Sequence, residues 1–265
     1  MIFIGTCGWS YPHWKNFYPK GTRNHLKYYS HYSMLAEINT SFYHIPKREI
    51  IESWYQQTPE QFRFSVKLLR DFTHSNNFNL DENKLKSFFR NFETLGVKFQ
   101  ILLIQFPASF SYTPEKAQYL ENVVDLIRNF FSGIIFAEFR NDTWFSEKIF
   151  LLFEEYDLNL VATDKIPFPI LFKDQKIYYL RLLGSRKEMP DELLGTKLLD
   201  KTSDLEKWGE KIKKISPKYR DMYILFNNHF SGNGILDSQS LSKILRSMGM
   251  KVKGFPPPTS LTSFF

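Results

Sequence analysis

Eight short apolar runs recur along the chain, at residues 2–5, 34–39, 62–67, 101–105, 134–140, 158–164, 177–181 and 222–228, and nearly every one ends in charged or amide residues. Each is about strand length, and most are followed by a longer amphipathic stretch. Eight strands alternating with helices predict a closed parallel barrel of the TIM-type (β/α)8 class, a single α/β domain. The length of 265 residues suits it, since about 250 is usual for that fold. In such barrels the chemistry sits where the strands end. One pattern therefore proposes a fold and a set of candidate residues together.

Composition narrows the class further. With 27 Phe there is ample material for a core, and nothing approaches the ~18 uninterrupted apolar residues of a membrane span. The chain enters a strand at Ile2, which leaves no room for a signal peptide. Cys7 is the only cysteine, so no internal disulfide forms and a reducing cytoplasm is expected. The balance of 35 Lys and Arg against 28 Asp and Glu gives a net charge of +7. That excess favours anionic partners such as phosphates or nucleic acid.

Helices are expected at residues 26–32, 49–57, 81–95, 113–130, 146–156, 204–215 and 237–248. The third places Leu85, Phe88, Phe89 and Phe92 on one face and is closed by Gly96. Pro114 takes a first-turn position in the fourth. The barrel is then complete within residues 1–250. Residues 251–265 read as a stiff Pro-rich linker with an apolar end.

Side chains two apart on a strand share a face. This aligns Glu37 with Asn39, Ser65 with Lys67, Glu138 with Arg140, Ala162 with Asp164, and Tyr179 with Arg181. The last inward layer of a barrel opens to its mouth. Glu37, Lys67, Glu138, Arg140, Asp164 and Arg181 are assigned to that layer, joined by Gln105, Asn227 and Asn228. The carboxylates are acid/base candidates and the Lys and Arg side chains anion clamps. The competing interpretation is a salt-bridge network that plugs the barrel.

His74, just past the third strand, is a candidate proton carrier or ligand, or a loop histidine that caps a backbone group. The donor types of Glu37, His74, Glu138 and Asp164 would also allow a divalent metal, although no histidine spacing typical of metal ligands occurs. No Walker loop or dinucleotide fingerprint is present. Gly232-Asn233-Gly234 has the character of a barrel phosphate loop after the eighth strand, or of a plain glycine turn. Cys7 fits a small buried residue better than a nucleophile.

Taken together, Gly5-Thr6-Cys7-Gly8-Trp9-Ser10-Tyr11, Tyr18-Pro19, Glu37-Ile38-Asn39-Thr40-Ser41-Phe42-Tyr43, Trp54, Thr58-Pro59, Phe64-Ser65-Val66-Lys67, Thr73-His74, Gln105-Phe106-Pro107, Glu138-Phe139-Arg140 with Trp144, Asp164, Tyr179-Leu180-Arg181 with Gly184, and Phe226-Asn227-Asn228 resemble the YecE-like family, domain of unknown function 72. The resemblance spans the chain to about Met248. It implies a TIM-type barrel, similar by analogy to the endonuclease IV and xylose isomerase-like barrels, and supplies no reaction. Relatives usually read Arg-Leu-His-Gly on the seventh strand. Leu183 stands here in the His place, so no mechanism is built on that histidine.

The tail from Pro258 to Phe265 resembles a PCNA-interacting peptide, the motif by which DNA enzymes dock on the sliding clamp. Leu261, Phe264 and Phe265 fit its aliphatic and aromatic positions, which fall on one side of a single helical turn. Pro258 departs from the usual Gln. The alternative is an apolar tail folded back over the barrel. The expected function is a DNA-associated protein recruited by the PCNA clamp and processing DNA or a nucleotide-like anion by hydrolysis or a related acid/base step. In it Glu37, Glu138, Asp164 and His74 carry the chemistry, Lys67, Arg140 and Arg181 hold the anion, and Asn39, Gln105, Asn227 and Asn228 orient it. Its rivals are a small-molecule enzyme acting on a phosphorylated or carboxylated metabolite and a non-catalytic binder of nucleic acid or another anion.

Overall fold

Strands occupy each of the eight apolar runs. They are β1 (Ile2–Cys7), β2 (Leu35–Ile38), β3 (Arg63–Lys67), β4 (Phe99–Gln105), β5 (Ile134–Glu138), β6 (Leu158–Thr163), β7 (Ile177–Leu182) and β8 (Asp221–Phe226) in a computed structural model that describes residues 1–14, 16–75, 80–165 and 175–256. All six residues of β1 and of β7 are buried. Parallel strands covered on both faces have no solvent side, so they read as continuous apolar runs rather than alternating ones. The strand order is β2-β3-β4-β5-β6-β7-β8-β1, with β2 also paired to β1, which is the closed order of a TIM-type barrel. β1 pairs in parallel with β2 and β8, as do β3 with β4, β4 with β5, β5 with β6 and β7 with β8.

The helices are α1 (His25–Tyr29), α2 (Arg48–Gln56), α3 (Glu82–Phe92), α4 (Pro114–Arg128), α5 (Glu147–Glu155), α6 (Thr202–Ile215) and α7 (Gly234–Ser247). Their starts follow local chemistry. Asp81 caps α3 by accepting from the Lys84 amide at 2.9 Å, and Thr113 caps α4 from the Lys116 amide at 3.3 Å, with Pro114 in the first turn. The expected α3 face, Leu85, Phe88, Phe89 and Phe92, is buried. α7 begins at Gly234 rather than at residue 237, because the Asn233 side chain accepts from the amides of Ile235 and Leu236. Several strands also stop short of the expected ends. β5 closes at Glu138 rather than Arg140, β6 at Thr163 rather than Asp164, and β8 at Phe226 rather than Asn228.

Packing divides the chain into two compact units. One comprises Met1–Glu37, Thr163–Lys165 and the described residues from Lys176 onward, and the other Ile38–Ala162 with Gln175. In the first unit one edge of β1 pairs with β8 from Ile2 to Thr6, and the other edge is divided between two partners. Its start pairs with a ninth strand, β9 (Val252–Lys253), at Ile2↔Val252, whereas its end pairs with β2 at Cys7↔Glu37. Between these pairings Ser33 Oγ donates to the Ile4 and Leu35 carbonyls at 2.7 and 2.9 Å. Gly5 is required there, since a Cβ would lie 2.1 Å from the Leu35 carbonyl oxygen. β9 falls in the segment expected to be linker. Phe255 beyond it is fully buried, and Arg246 donates to the carbonyls of Phe255 and Gly254, both at 2.6 Å. The expected docking residues Leu261, Phe264 and Phe265 lie outside the described residues.

Candidate active site at the strand ends

In the first unit the carboxyl ends of β1, β2 and β7 bring Cys7, Glu37, Tyr179 and Arg181 together. Arg181 Nη2 donates to Glu37 Oε1 at 2.6 Å, and Tyr179 Oη donates to Glu37 Oε2 at 2.7 Å. The two-residue spacing of Tyr179 and Arg181 puts both on one face of β7, and both reach the same carboxylate. Glu37 and Arg181 are 0% and 2% exposed. A charge so deeply withdrawn from water persists only when paired and hydrogen-bonded. Arg181 Nη2 also lies 3.7 Å from Cys7 Sγ. Burial first, and then the negative charge of Glu37, push the Cys7 thiol far above its ordinary range, so it stays protonated.

Three other residues expected at the site brace turns. The Asp164 carboxylate accepts from the amides of Leu183 and Gly184, both at 2.8 Å. Leu183 thus serves the turn through its backbone while its side chain is buried. Gly184 has φ +63°, and a Cβ there would lie 1.9 Å from the His229 carbonyl oxygen, so glycine is obligatory. Asn227 Oδ1 accepts from the His229 amide at 3.1 Å, a local Asx turn that ends β8. Asn228 Oδ1 accepts from the Trp14 indole at 2.8 Å and from the Gly234 amide at 3.1 Å. With the Ile235 and Leu236 amides held by Asn233 Oδ1, the start of α7 has its donors engaged. The Gly232-Asn233-Gly234 segment is a capped turn, and the phosphate-loop interpretation does not hold.

In the second unit the ends of β3, β4 and β5 carry a different arrangement. Lys67 Nζ donates to Gln105 Oε1 at 2.9 Å and sits 4.0 Å from the Phe42 ring centroid. Arg140 Nε donates to Glu138 Oε1 at 2.6 Å, as residues two apart at a strand end should. Asn39 precedes the short 3-10 turn Thr40–Phe42, and its carbonyl accepts from the Phe42 amide at 3.1 Å. His74 Nδ1 is 2.8 Å from Thr73 Oγ1, and its ring packs edge-on at 4.9 Å from Phe42. Burial, followed by the positive charges of Lys67, Arg70 and Arg140, pushes His74 down to about 4. At neutral pH it is therefore an uncharged donor or acceptor, not an acid.

His74 also lines a cavity of about 310 Å³ together with Arg70, Asp71, Phe72, Ser75, Asp81 and Lys84. Lys84 is paired with Asp71. Arg70 is exposed and makes no ion pair among the described residues. Sequence reasoning missed Arg70 because it lies in the turn Arg70–Phe72, beyond the reach of strand alternation. It missed Tyr179 as a site residue because a tyrosine within an apolar run reads as core. The proposed metal set is not assembled: among the described residues no three His, Cys, Asp or Glu side chains converge. Glu37, Asp164 and Glu138 are each committed to the donors named above. No helix among the described residues is long and apolar enough to cross a membrane.

This architecture has known relatives. The chain is 24% identical over 271 residues to the UPF0759 protein YunF of Bacillus subtilis strain 168, covering 92% of this chain and 95% of that one. It is 29% identical over 110 residues to the UPF0759 protein YecE of Escherichia coli K12, covering 42% of this chain and 39% of that one. Among solved structures, a DUF72 family protein of Enterococcus faecalis V583 superposes with a TM-score of 0.77 at 23% identity, over 97% of this chain and 98% of that one. One from Thermotoga maritima MSB8 gives a TM-score of 0.77 at 23% identity, over 93% and 99%. These two share the fold. The family described as "Protein of unknown function DUF72" matches residues 3–260, and the chain belongs to it.

Proposed function

We propose that the protein binds a small organic anion, a phosphate ester or a carboxylate, at the carboxyl ends of β3–β5 and acts on it by acid/base chemistry. The observation that carries this reading is Arg70. It is a guanidinium without an ion-pair partner among the described residues, at a cavity whose histidine is held neutral by burial first and then by three surrounding cations. A guanidinium left without a counter-ion beside a cavity is the arrangement that an anion completes. The volume of about 310 Å³ lies at the lower end of the ~300–1,000 Å³ range of small-molecule sites, which favours a metabolite-sized ligand over a duplex. A larger cavity of about 760 Å³ lined by Phe89, Phe99, Phe130 and Phe131 sits where β4 and β5 begin, the end at which barrels do not carry chemistry.

In this scheme Arg70 and Arg140 hold the anionic group and Lys67 with Gln105 orients the rest. Glu138, fully buried against Arg140, is the acid/base group. Asp164, Asn227 and Asn228 position turns, and Glu37 with Arg181 holds the ends of β2 and β7. The test is an NMR titration of His74 in the absence and presence of inorganic phosphate. A bound anion offsets the surrounding cations, so the His74 titration should move upward from about 4. A midpoint that stays fixed at saturating phosphate rejects the site.

A second reading, DNA association through the PCNA clamp, is favoured by the anchoring of residues 254–255. Phe255 is buried and Arg246 fixes the backbone of residues 254–255, so the docking motif Leu261, Phe264 and Phe265 follows a firmly rooted point. The net charge of +7 agrees with a polyanionic partner. Truncation after Pro256 should abolish clamp binding without lowering Tm. Equal binding by both forms removes this reading.

A further inference from the structure

Phe42 is the hub of the second unit's strand-end cluster. Lys67 Nζ lies 4.0 Å from its centroid, His74 packs at 4.9 Å from it, and Tyr43 packs T-shaped at 5.1 Å with an interplanar angle of 87°. Phe42 itself is buried, whereas Tyr43 is 65% exposed. Tyr43 therefore presents a ring whose position is fixed by an edge-to-face contact and whose surface is largely open. It stands one residue from the aromatic that carries both Lys67 and His74. Tyrosine offers a large, stiff surface at low entropic cost, and an open ring packed on the aromatic that carries a lysine is the start of the combination that nucleotides use, phosphate on cations and base on a π-face.

Resting on the anion-binding reading above, we infer that Tyr43 is a stacking platform and that the ligand class is a nucleoside monophosphate, a flat heteroaromatic ring joined to a phosphate. The phosphate is held at Arg70 and Arg140, and the ring lies on Tyr43. Placing the ring there covers an exposed apolar surface that the protein alone leaves in water, while the phosphate meets Arg70, which makes no ion pair among the described residues. The two halves of the ligand are thus recognised by separate side chains and can be removed separately.

Calorimetric titration with two probes tests this. Adenosine 5′-monophosphate should bind about tenfold more tightly than ribose 5-phosphate, the lower end of what one stacked base contributes. Tyr43→Ala should remove that advantage and leave ribose 5-phosphate binding unchanged. Tyr43→Phe should keep it. Tyr43 is exposed, so neither variant threatens the fold. Arg70→Ala should weaken both probes together. Equal binding of the two probes, or a Tyr43→Ala variant that weakens both alike, overturns the stacking platform while leaving the anion site standing. Binding of neither probe by the unaltered protein overturns both.

Discussion

The same ion pair is built twice in this protein under opposite conditions. Arg181 meets Glu37 at 2.6 Å with side-chain exposures of 3% and 0%, and Arg140 meets Glu138 at 2.6 Å with exposures of 34% and 0%. Distance does not separate them; access of water to the guanidinium does. The first pair is sealed, with Tyr179 on the second carboxylate oxygen, so neither partner can leave without stranding a buried charge. In the second pair the arginine keeps access to water and can meet a ligand while it stays bonded to its carboxylate. A sealed pair serves the fold; a half-open one can serve a substrate.

Breaking the two pairs in parallel is the harshest test of that contrast. Glu37→Gln leaves Arg181 buried without its counter-ion, and loss of one partner of a buried pair costs roughly 3–5 kcal/mol. For a chain of this size that corresponds to a fall in Tm of about 10 °C. Glu138→Gln leaves Arg140 with access to water, so Tm should change by no more than ~2 °C, while turnover disappears. Calorimetric melting of the two variants side by side decides the matter. Equal losses would mean that both pairs are structural plugs, the barrel-sealing network that the sequence also allowed.

Binding should separate the regions next. Arg70→Ala removes a charge-assisted bond worth roughly 1.5–3 kcal/mol, so phosphate affinity should drop about tenfold or more with Tm unaltered. Glu138→Gln should act the other way and tighten phosphate severalfold, because Arg140 is released to the anion. Both effects should shrink as salt is raised, since the groups are partly exposed. Were phosphate affinity to follow Glu37→Gln instead, the ligand site would have been assigned to the wrong cluster.

The ease with which these features can be read from sequence follows the same division between periodic and aperiodic structure. The strands were legible because parallel strands covered on both faces are uniformly apolar, as in Phe3, Ile4, Leu180 and Ile224, all buried. Strand alternation also put Tyr179 with Arg181 and Glu138 with Arg140 on common faces. It could not reach Arg70, Tyr43 or the turn made by Asp164, because past the last ladder bond the chain follows 3-10 turns and side-chain-to-backbone bonds with no fixed period. For the same reason a glycine-rich loop looked like a phosphate cradle, although Asn228 and Asn233 occupy its amides. Nor does β9 announce itself: a two-residue strand beside Gly254 and three prolines carries no periodicity at all.

Asp237 supplies the third and gentlest case, a buried carboxyl in the first turn of α7 with no guanidinium against it. Its Oδ2 has no hydrogen-bond partner among the described residues. Burial, opposed by hydrogen bonds from Ser231 and by the more distant charge of Lys201, raises it from 3.8 to about 7. Lys201 itself is shared between Glu188 and Asp204. The sign follows from linkage. Below about pH 4 the group is protonated in both states and its contribution to stability is complete. As pH rises toward 7 the unfolded chain gives up the proton and the folded protein does not, so stability falls, and above 7 the loss is constant. Asp237→Asn cannot titrate. Its Tm relative to the unaltered protein should therefore climb between pH 4 and pH 8, whatever offset the amide itself introduces. Parallel Tm–pH curves would show that Asp237 is ionised in the fold and paired after all, which would make it a third example of the sealed kind rather than the exception.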